Sequence, residues 1–509
     1  MKLLGLNTLF LRGIGGQWRG STSPLALFAG GVIGVWFDPS DRTTLFEDVA
    51  GTIPATLPGQ PVGLMLDKSK GLVLGPELIA NGNFDTATGW TLEVGWSISG
   101  GKLVSAGGNN ISPALIAANI VAGKTYRITY EITSYVSGQV RAELQGGGSD
   151  NGIARVSAGV YSELLVAASN RANFRFLAVG GAGFNGTIDN ISVRELPGYH
   201  ATQPVAASRP TLARHPKGGR RNLLNATDAL ATQAIDFATP LDGKTGPRTL
   251  SFTGTGTVTL SGASTGSLVG TGAGNRVSMA FTPTAGAVTF TVSGSVTLAQ
   301  VEAGGLTNYQ KVTNQYDVTE AGVPDCWGLF FDGVDDFMQT SAIDLTGTDK
   351  VGVFAGVRKL SDSAARVVAE ISTNATSDSN PGAFYLAAPE SSSNRYSSLS
   401  KGSAVLLVTQ RADTGSIGTA PDTAVITATH DISGDLTRIR RNGVFGSVDG
   451  TGDKGTGAFG SYPLYIGRRA GTSLPFSGLL YGLCVAGKLP SAAEITNTET
   501  FLNSKMGAY

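Results

Sequence analysis

Residues 125–136, TYRITYEITSYV, set Tyr126, Ile128, Tyr130 and Ile132 on one face of an extended chain and Arg127, Thr129, Glu131 and Thr133 on the other. Side chains alternate across a strand with period two, so this stretch can bury one face only and needs a second layer packed on it. That commits it to a half-buried strand of a β-sandwich. QVRAELQG, ARVSAGVYSELLVAA, ANFRFLAVG and GTIDNISVREL follow as further short runs between Gly and Asn turns. Composition agrees, since 71 glycines in 509 residues and only 15% charged residues favour tight turns over long solvated helices. The expected fold is all-β, with several chained β-sandwich (jelly-roll) domains and one short C-terminal helix. That helix is marked by Ser491 and Glu494 as a capping box after Pro490, with Lys505 and Gly507 at its far end.

The chain is too long for one hydrophobic core. Lys plus Arg and Asp plus Glu stand at 38 each, so no global field draws it to nucleic acid or to an anionic membrane. Two cysteines, Cys326 and Cys484, exclude a disulfide framework and a zinc site built on cysteine pairs, and buried free thiols are expected. MKLLGLNTLFLRGIGG imitates a signal peptide, but Asn7 and Thr8 interrupt its apolar run and no A-x-A site follows. It reads as a short arm that stays on the protein. No other apolar run approaches the roughly 20 residues a bilayer requires, so membrane insertion is not expected.

Shifts in pattern divide the chain. Residues 1–24 form the arm; 25–71 and 198–221 are Pro-rich and Gly-rich linking stretches. Residues 72–197 form a sandwich, 222–310 a second sandwich rich in Thr and Gly, and 311–509 a larger C-terminal sandwich. Residues 198–221 carry Arg209, Arg214, His215, Lys217, Arg220 and Arg221 with no acidic residue, and read as a solvated linker. Asn442-Gly443 predicts a hairpin turn of the primed kind. GASTG at 262–266 matches a nucleophile pattern, but that pattern needs a helix after its strand and here another Gly-rich turn follows.

Three resemblances follow from particular stretches. NGNFDTATGW with GTIDNISVREL resembles carbohydrate-binding-module-like sandwiches of bacteriophage fibres and glycan-degrading enzymes. LFFDGVDDFMQT, PLYIGRRAG and LYGLCVAGKLPSAAEI with the terminal helix resemble the concanavalin A-like, laminin-G-like lectin fold of phage proteins. GVWFDPSDRTTLFEDVAGT, PVGLMLDKS and HATQPVAASRPTL resemble segments of phage tail-fibre and other virion proteins, in which LDKS and HATQ usually lie nearly adjacent; here about 130 residues separate them, which implies that 25–71 and 198–221 form a virion-attachment and linker module into which the sandwich 72–197 is inserted. These resemblances imply a non-enzymatic virion protein assembled in the bacterial cytoplasm. It would be a tail fibre or similar appendage, a homotrimer, in contact with other virion proteins and with host polysaccharide or lipopolysaccharide. A capsid decoration or head fibre protein and a glycan depolymerase are the alternatives.

The residues themselves point to binding rather than to catalysis. Glycan hydrolysis needs two carboxylates roughly 5 to 10 Å apart, and neither Glu143 nor Glu370 has a second carboxylate at strand spacing. His200, His215 and His430 fall in linker or turn positions, where they build no triad. Sugars need an aromatic face with polar groups around it. Trp90 and Trp96 with Asn81, Asn83 and Asp85 offer one such cluster, with core packing as the competing fate of the tryptophans. Tyr385, Asn394, Arg395 and Tyr396, in the polar stretch SDSNPGAFYLAAPESSSNRYSS, offer another. Asp332, Asp335 and Asp336 are candidate calcium ligands, although their spacing fits no EF-hand. A turn at Asp332-Gly333 explains them without an ion, and is the expectation.

Overall fold

The computed structural model describes residues 23–108, 113–181, 183–377, 379–404 and 411–509. The expected N-terminal arm, apart from Ser23 and Pro24, lies outside them. Gly34–Phe37 pairs antiparallel with Ser477–Ala486, from Gly34 opposite Ala486 to Phe37 opposite Leu483. One sheet therefore holds side by side a strand from near each end of the described chain. Lys350–Lys359 flanks Ser477–Ala486 along most of its length, Asp422–Asp431 lies beyond it, and Asp325–Asp332 pairs with the start of Ser477–Ala486. A nine-stranded sheet faces this ten-stranded one, running from Leu45–Phe46 through Met338–Asp344, Ser461–Ile466, Val367–Ile371 and Ala383–Ala387 to Ala412–Asp413. Val35, Phe37, Leu212, Phe331 and Val353 meet Met338, Ile371, Phe384, Leu399 and Ile466 in the core between the sheets.

This arrangement corrects the domain division. Residues 25–71 and 198–221 form no separate module; they are strands of the same sandwich as 311–509. Thr211–Pro216 pairs with Asp325–Asp332 from Thr211 opposite Phe330 to Pro216 opposite Asp325, and buries Leu212 and Ala213. Leu64–Met65 and Ala201–Thr202 pair with each other, and Thr202 pairs in turn with Gln339. The basic stretch is a strand and its exit, with three of its arginines engaged. Arg214 is 2.6 Å from Asp317, and Arg221 is paired with Glu320. Arg220 donates to the carbonyls of Asn222, Leu223 and Leu224. Its prolines do not break the strand, because Pro210 precedes it and Pro216 ends it.

Two smaller sandwiches interrupt this main one. The first pairs a sheet containing Thr125–Ser137 and Phe184–Leu196 with one containing Gln139–Gln145 and Arg171–Val179. Tyr126, Ile128, Tyr130 and Ile132 are all buried in its core, as their alternation predicts. The second stacks a four-stranded sheet on a three-stranded one around Leu250, Phe252, Val258 and Phe290. Within it, GASTG is the turn between Thr257–Gly262 and Gly266–Val269.

The first insertion leaves and re-enters at a single point. The carboxylate of Asp67 accepts from the backbone N–H of Trp36 at 2.8 Å, of Ser69 at 2.8 Å and of Tyr199 at 2.9 Å, and from the Ser69 hydroxyl at 2.9 Å. The Asp67 N–H donates to His200 Nδ1 at 3.0 Å. LDKS and HATQ, far apart in sequence, thus touch in space. The inserted unit also leans on its host, through Leu164 N–H to the Ala50 carbonyl at 2.7 Å and a small cluster of Leu64, Leu66, Leu164 and Leu196.

The helix Ala492–Met506 forms as expected, with Ser491 as N-cap, both capping-box bonds to Glu494 and Gly507 left-handed at φ 62°. It lies on the outer face of the ten-stranded sheet, where Leu502 and Met506 join Phe28, Trp36 and Cys484. Gly482 makes that approach possible, since a Cβ there would sit 2.6 Å from Leu502. Asn442 and Gly443, at φ 52° and 79°, form the hairpin turn between Leu436–Arg441 and Val444–Phe445. Cys326 and Cys484 are buried and free. Among the described residues no helix is long and apolar enough to cross a membrane.

Candidate functional site

Phe384 and Tyr385 are neighbours on the strand Ala383–Ala387, so they point to opposite faces of the sheet. Phe384 points inward, with its ring stacked 5.5 Å from that of His430 on the facing sheet. Tyr385 therefore points outward, opposite Glu370 in the neighbouring strand. It is nonetheless only 3% exposed, because two guanidinium groups cover its ring. Arg411 lies 5.8 Å and Arg469 5.7 Å from the ring centre, close enough for each cation to be drawn to the aromatic face.

These groups line a pocket of about 130 Å³ whose wall also includes Arg366 and Glu390. Glu370 accepts from Arg469 Nε at 2.8 Å and from the Ala375 N–H at 2.6 Å. Glu390 pairs with Arg411 and also accepts from the Ser397 hydroxyl at 2.6 Å and the Tyr385 hydroxyl at 3.2 Å. Arg366 donates through Nη1 to the Pro475 carbonyl at 2.7 Å. Burial pushes the Tyr385 hydroxyl well above its usual range and raises the Glu370 carboxyl, which Arg469 partly offsets. Three guanidinium groups against two carboxylates leave the pocket with one positive charge in excess. Among the described residues, the buried Nε–H groups of Arg366 and Arg411 have no acceptor. Such a site can bind an anion and, with both carboxylates committed to arginine, has no free base.

Of the residues singled out from sequence, only Tyr385 lies here. Tyr396 is fully buried, its hydroxyl donating to Asp422 at 2.6 Å, so it presents no face to a ligand. Arg395 is 47% exposed and 3.5 Å from Asp413, and Asn394 donates to Thr419 at 3.1 Å. The tryptophan cluster is also corrected. Trp90 and Trp96 are 8% and 7% exposed and pack against Phe84 and Phe184 in the core of the first inserted sandwich, so neither ring offers a stacking platform. Asn83 and Asp85 are exposed and bonded to each other, while Asn81 accepts through its carbonyl from Trp90 Nε1 at 3.0 Å. His200, His215 and His430 are buried. Arg366, Arg411, Arg469 and Glu390 carried no sequence signal, being single charged residues scattered over about a hundred positions.

Asp332, Asp335 and Asp336 do converge, with a carboxylate oxygen from each within 4.8 Å of the others. Their local bonds are those of a turn. Asp332 Oδ1 accepts from the N–H of Val334 at 2.7 Å, Asp336 accepts from the Asp332 N–H at 2.9 Å, and Asp335 accepts from the Ser208 hydroxyl at 2.7 Å. Gly333 supplies the positive φ of 79°. Burial, then the charges of Asp332 and Asp335, push the Asp336 carboxyl up to about 7. A carboxyl raised in this way opposes folding above that value, and the penalty vanishes as pH falls towards its unfolded value. Asp336→Asn is therefore expected to stabilise the protein at pH 8 by roughly 1–2 kcal/mol, less than the whole shift because the corner borders solvent. Chelation is expected to leave the melting temperature unchanged. A lower melting temperature in both experiments would instead make the corner a calcium site.

No family model matches the chain, and no curated protein does. Similar solved structures include the CBM40 of the Ruminococcus gnavus IT-sialidase, at 14% identity and TM-score 0.25, over 32% of this chain and 97% of that one. NanB sialidase from Streptococcus pneumoniae is similar at 12% identity and TM-score 0.25, over 33% of this chain and 26% of that one. A structure concerned with the entry of botulinum neurotoxin type C and its two ganglioside molecules is similar at 10% identity and TM-score 0.26, over 35% and 42%. What the pocket binds must be read from its own residues.

Proposed function

We propose that this chain is a non-enzymatic glycan-binding protein of a bacteriophage virion, a tail fibre or similar appendage that meets the host surface. The observation that carries the binding role is the outward-facing pocket at Tyr385, where guanidinium and carboxylate groups converge on one face of the main sandwich. The virion role is supported by the phage-like segments, which meet within that sandwich at Asp67 and His200. In a homotrimer, a weak site on each copy becomes effective because every binding event after the first is intramolecular. Other virion proteins would hold the opposite end.

The test is retention of labelled intact protein on columns carrying different bacterial surface polysaccharides. Retention released by the same free polysaccharide is expected. If no polysaccharide retains it, and release of reducing sugar is also absent, the glycan reading fails and a particle-stabilising role takes its place. Release of reducing sugar would identify a depolymerase.

A further inference from the structure

We infer that the pocket at Tyr385 is specific for acidic glycans, taking the carboxylate or sulfate of a sugar between Arg366 and Arg411. This rests on the glycan-binding reading above and adds the ligand class. Three features support it.

The first is the balance of donors and acceptors. Glu370 is used by Arg469 and the Ala375 N–H, and Glu390 by Arg411, Ser397 and Tyr385. The acceptors inside the pocket are thus already engaged. The guanidinium groups of Arg366, Arg411 and Arg469 that line the pocket still outnumber these carboxylates. That excess positive charge selects an oxyanion over a neutral hydroxyl. The second feature is the ring. Tyr385 is covered by Arg411 and Arg469, so a sugar cannot stack on it and recognition must come from charge. The third is size. At about 130 Å³ the pocket is well below the roughly 300 Å³ at which sites for drug-sized ligands begin. It admits the charged substituent of a sugar while the ring stays at the mouth. The apolar wall of Val367, Ala387 and Leu474 strengthens the pairing by keeping water from it.

The test uses the intact protein, an immobilised hexuronic-acid polysaccharide, the same polymer with its carboxyl groups reduced to alcohols, and a sulfated glycan. Retention by the acidic polymers is expected, weakening as salt is raised, with at least about tenfold weaker binding to the reduced polymer. Arg411→Gln is expected to weaken binding to the acidic polymer to a similar degree, and Arg411→Lys, which keeps the charge but loses the planar fork, to give an intermediate result. Should Arg411→Gln fail to fold, competition remains decisive, because inorganic sulfate must displace the acidic polymer only partly, lacking the sugar at the mouth. Equal binding to native and reduced polymers would overturn the acidic specificity and leave the glycan reading standing. Complete displacement by sulfate at equal anion concentration would overturn the sugar component. No binding to any polymer would overturn both.

Discussion

Asp67→Ala is expected to cost the main sandwich about 3–5 kcal/mol, because it strands three backbone N–H groups that have no other acceptor in a dry site. Trp36, Ser69 and Tyr199 donate to that one carboxylate. The effect should exceed that of an ordinary buried hydrogen bond, since the carboxylate joins the first strand to the re-entry point of the insertion. Burial pushes its own pKa up to about 6, so the charge is held at a cost that its donors offset. Asp67→Asn keeps one acceptor oxygen and sheds that charge, and should cost less than alanine. Cys326 and Cys484 report the outcome, as both are buried in the main sandwich and neither insertion contains a cysteine. Thiol labelling at mildly alkaline pH across a urea series should show the transition shifted to much lower urea in the alanine variant. A loss below about 1 kcal/mol would mean that the insertion point does not depend on Asp67.

Acidification from pH 7 to pH 4 is expected to lower stability, the histidine and carboxyl contributions largely offsetting each other. Burial pushes His200 and His215 down to about 4, and His430 down to about 3. Each stays neutral in the folded protein while its unfolded counterpart takes up a proton below about 6.5, so the unfolded state binds more protons and stability falls as pH drops through that window. Asp67 and Asp336 act the other way. Their folded values, about 6 and about 7, lie above the unfolded one, so protonation favours the folded form as pH falls. Burial also raises the Glu163 and Glu370 carboxyls, which adds to that offset, and the three histidines are expected to prevail. The bonds of His200 agree with a neutral ring, since Nδ1 accepts from Asp67 N–H while Nε2–H donates to the Leu196 carbonyl at 3.2 Å. Urea midpoints followed by near-ultraviolet circular dichroism at pH 7, 5 and 4 test the balance. Stability that holds or rises on acidification would contradict it.

Local structure was legible where a residue's neighbours in sequence decide its conformation. The alternation at Tyr126 to Ile132, the capping box at Ser491 and the Asn442-Gly443 turn all follow from bonds spanning a few residues. The aspartate corner belongs with them, because Asp332-Gly333 encodes its own reversal. Assembly of the sandwiches was less legible. Nothing in the sequence between residues 198 and 221 says that Thr211–Pro216 will be a strand, because its hydrophobic signal is short and its partner begins at Asp325. The pocket was hidden for the same reason. Arg469 and Glu370 are 99 residues apart, and the arginine pair in PLYIGRRAG gives no sign that Arg469 will cover a tyrosine. The tryptophans took the competing fate that a Trp after a Gly already offered in sequence, packing in a core rich in aromatic rings, among them Phe84, Tyr130, Phe174, Phe176 and Phe184.

In the proposed role, the main sandwich binds a bacterial surface glycan through the pocket at Tyr385. The most direct test of that role compares three forms of the labelled protein on cells bearing an acidic surface polysaccharide: the intact chain, Arg411→Gln, and a chain with residues 72–197 replaced by a short turn. The close approach of Asp67 to Tyr199 makes the excision feasible. Binding should persist after the excision and drop at least about tenfold with Arg411→Gln. Binding lost on excision but kept by Arg411→Gln would place recognition in the inserted sandwich and contradict the claim.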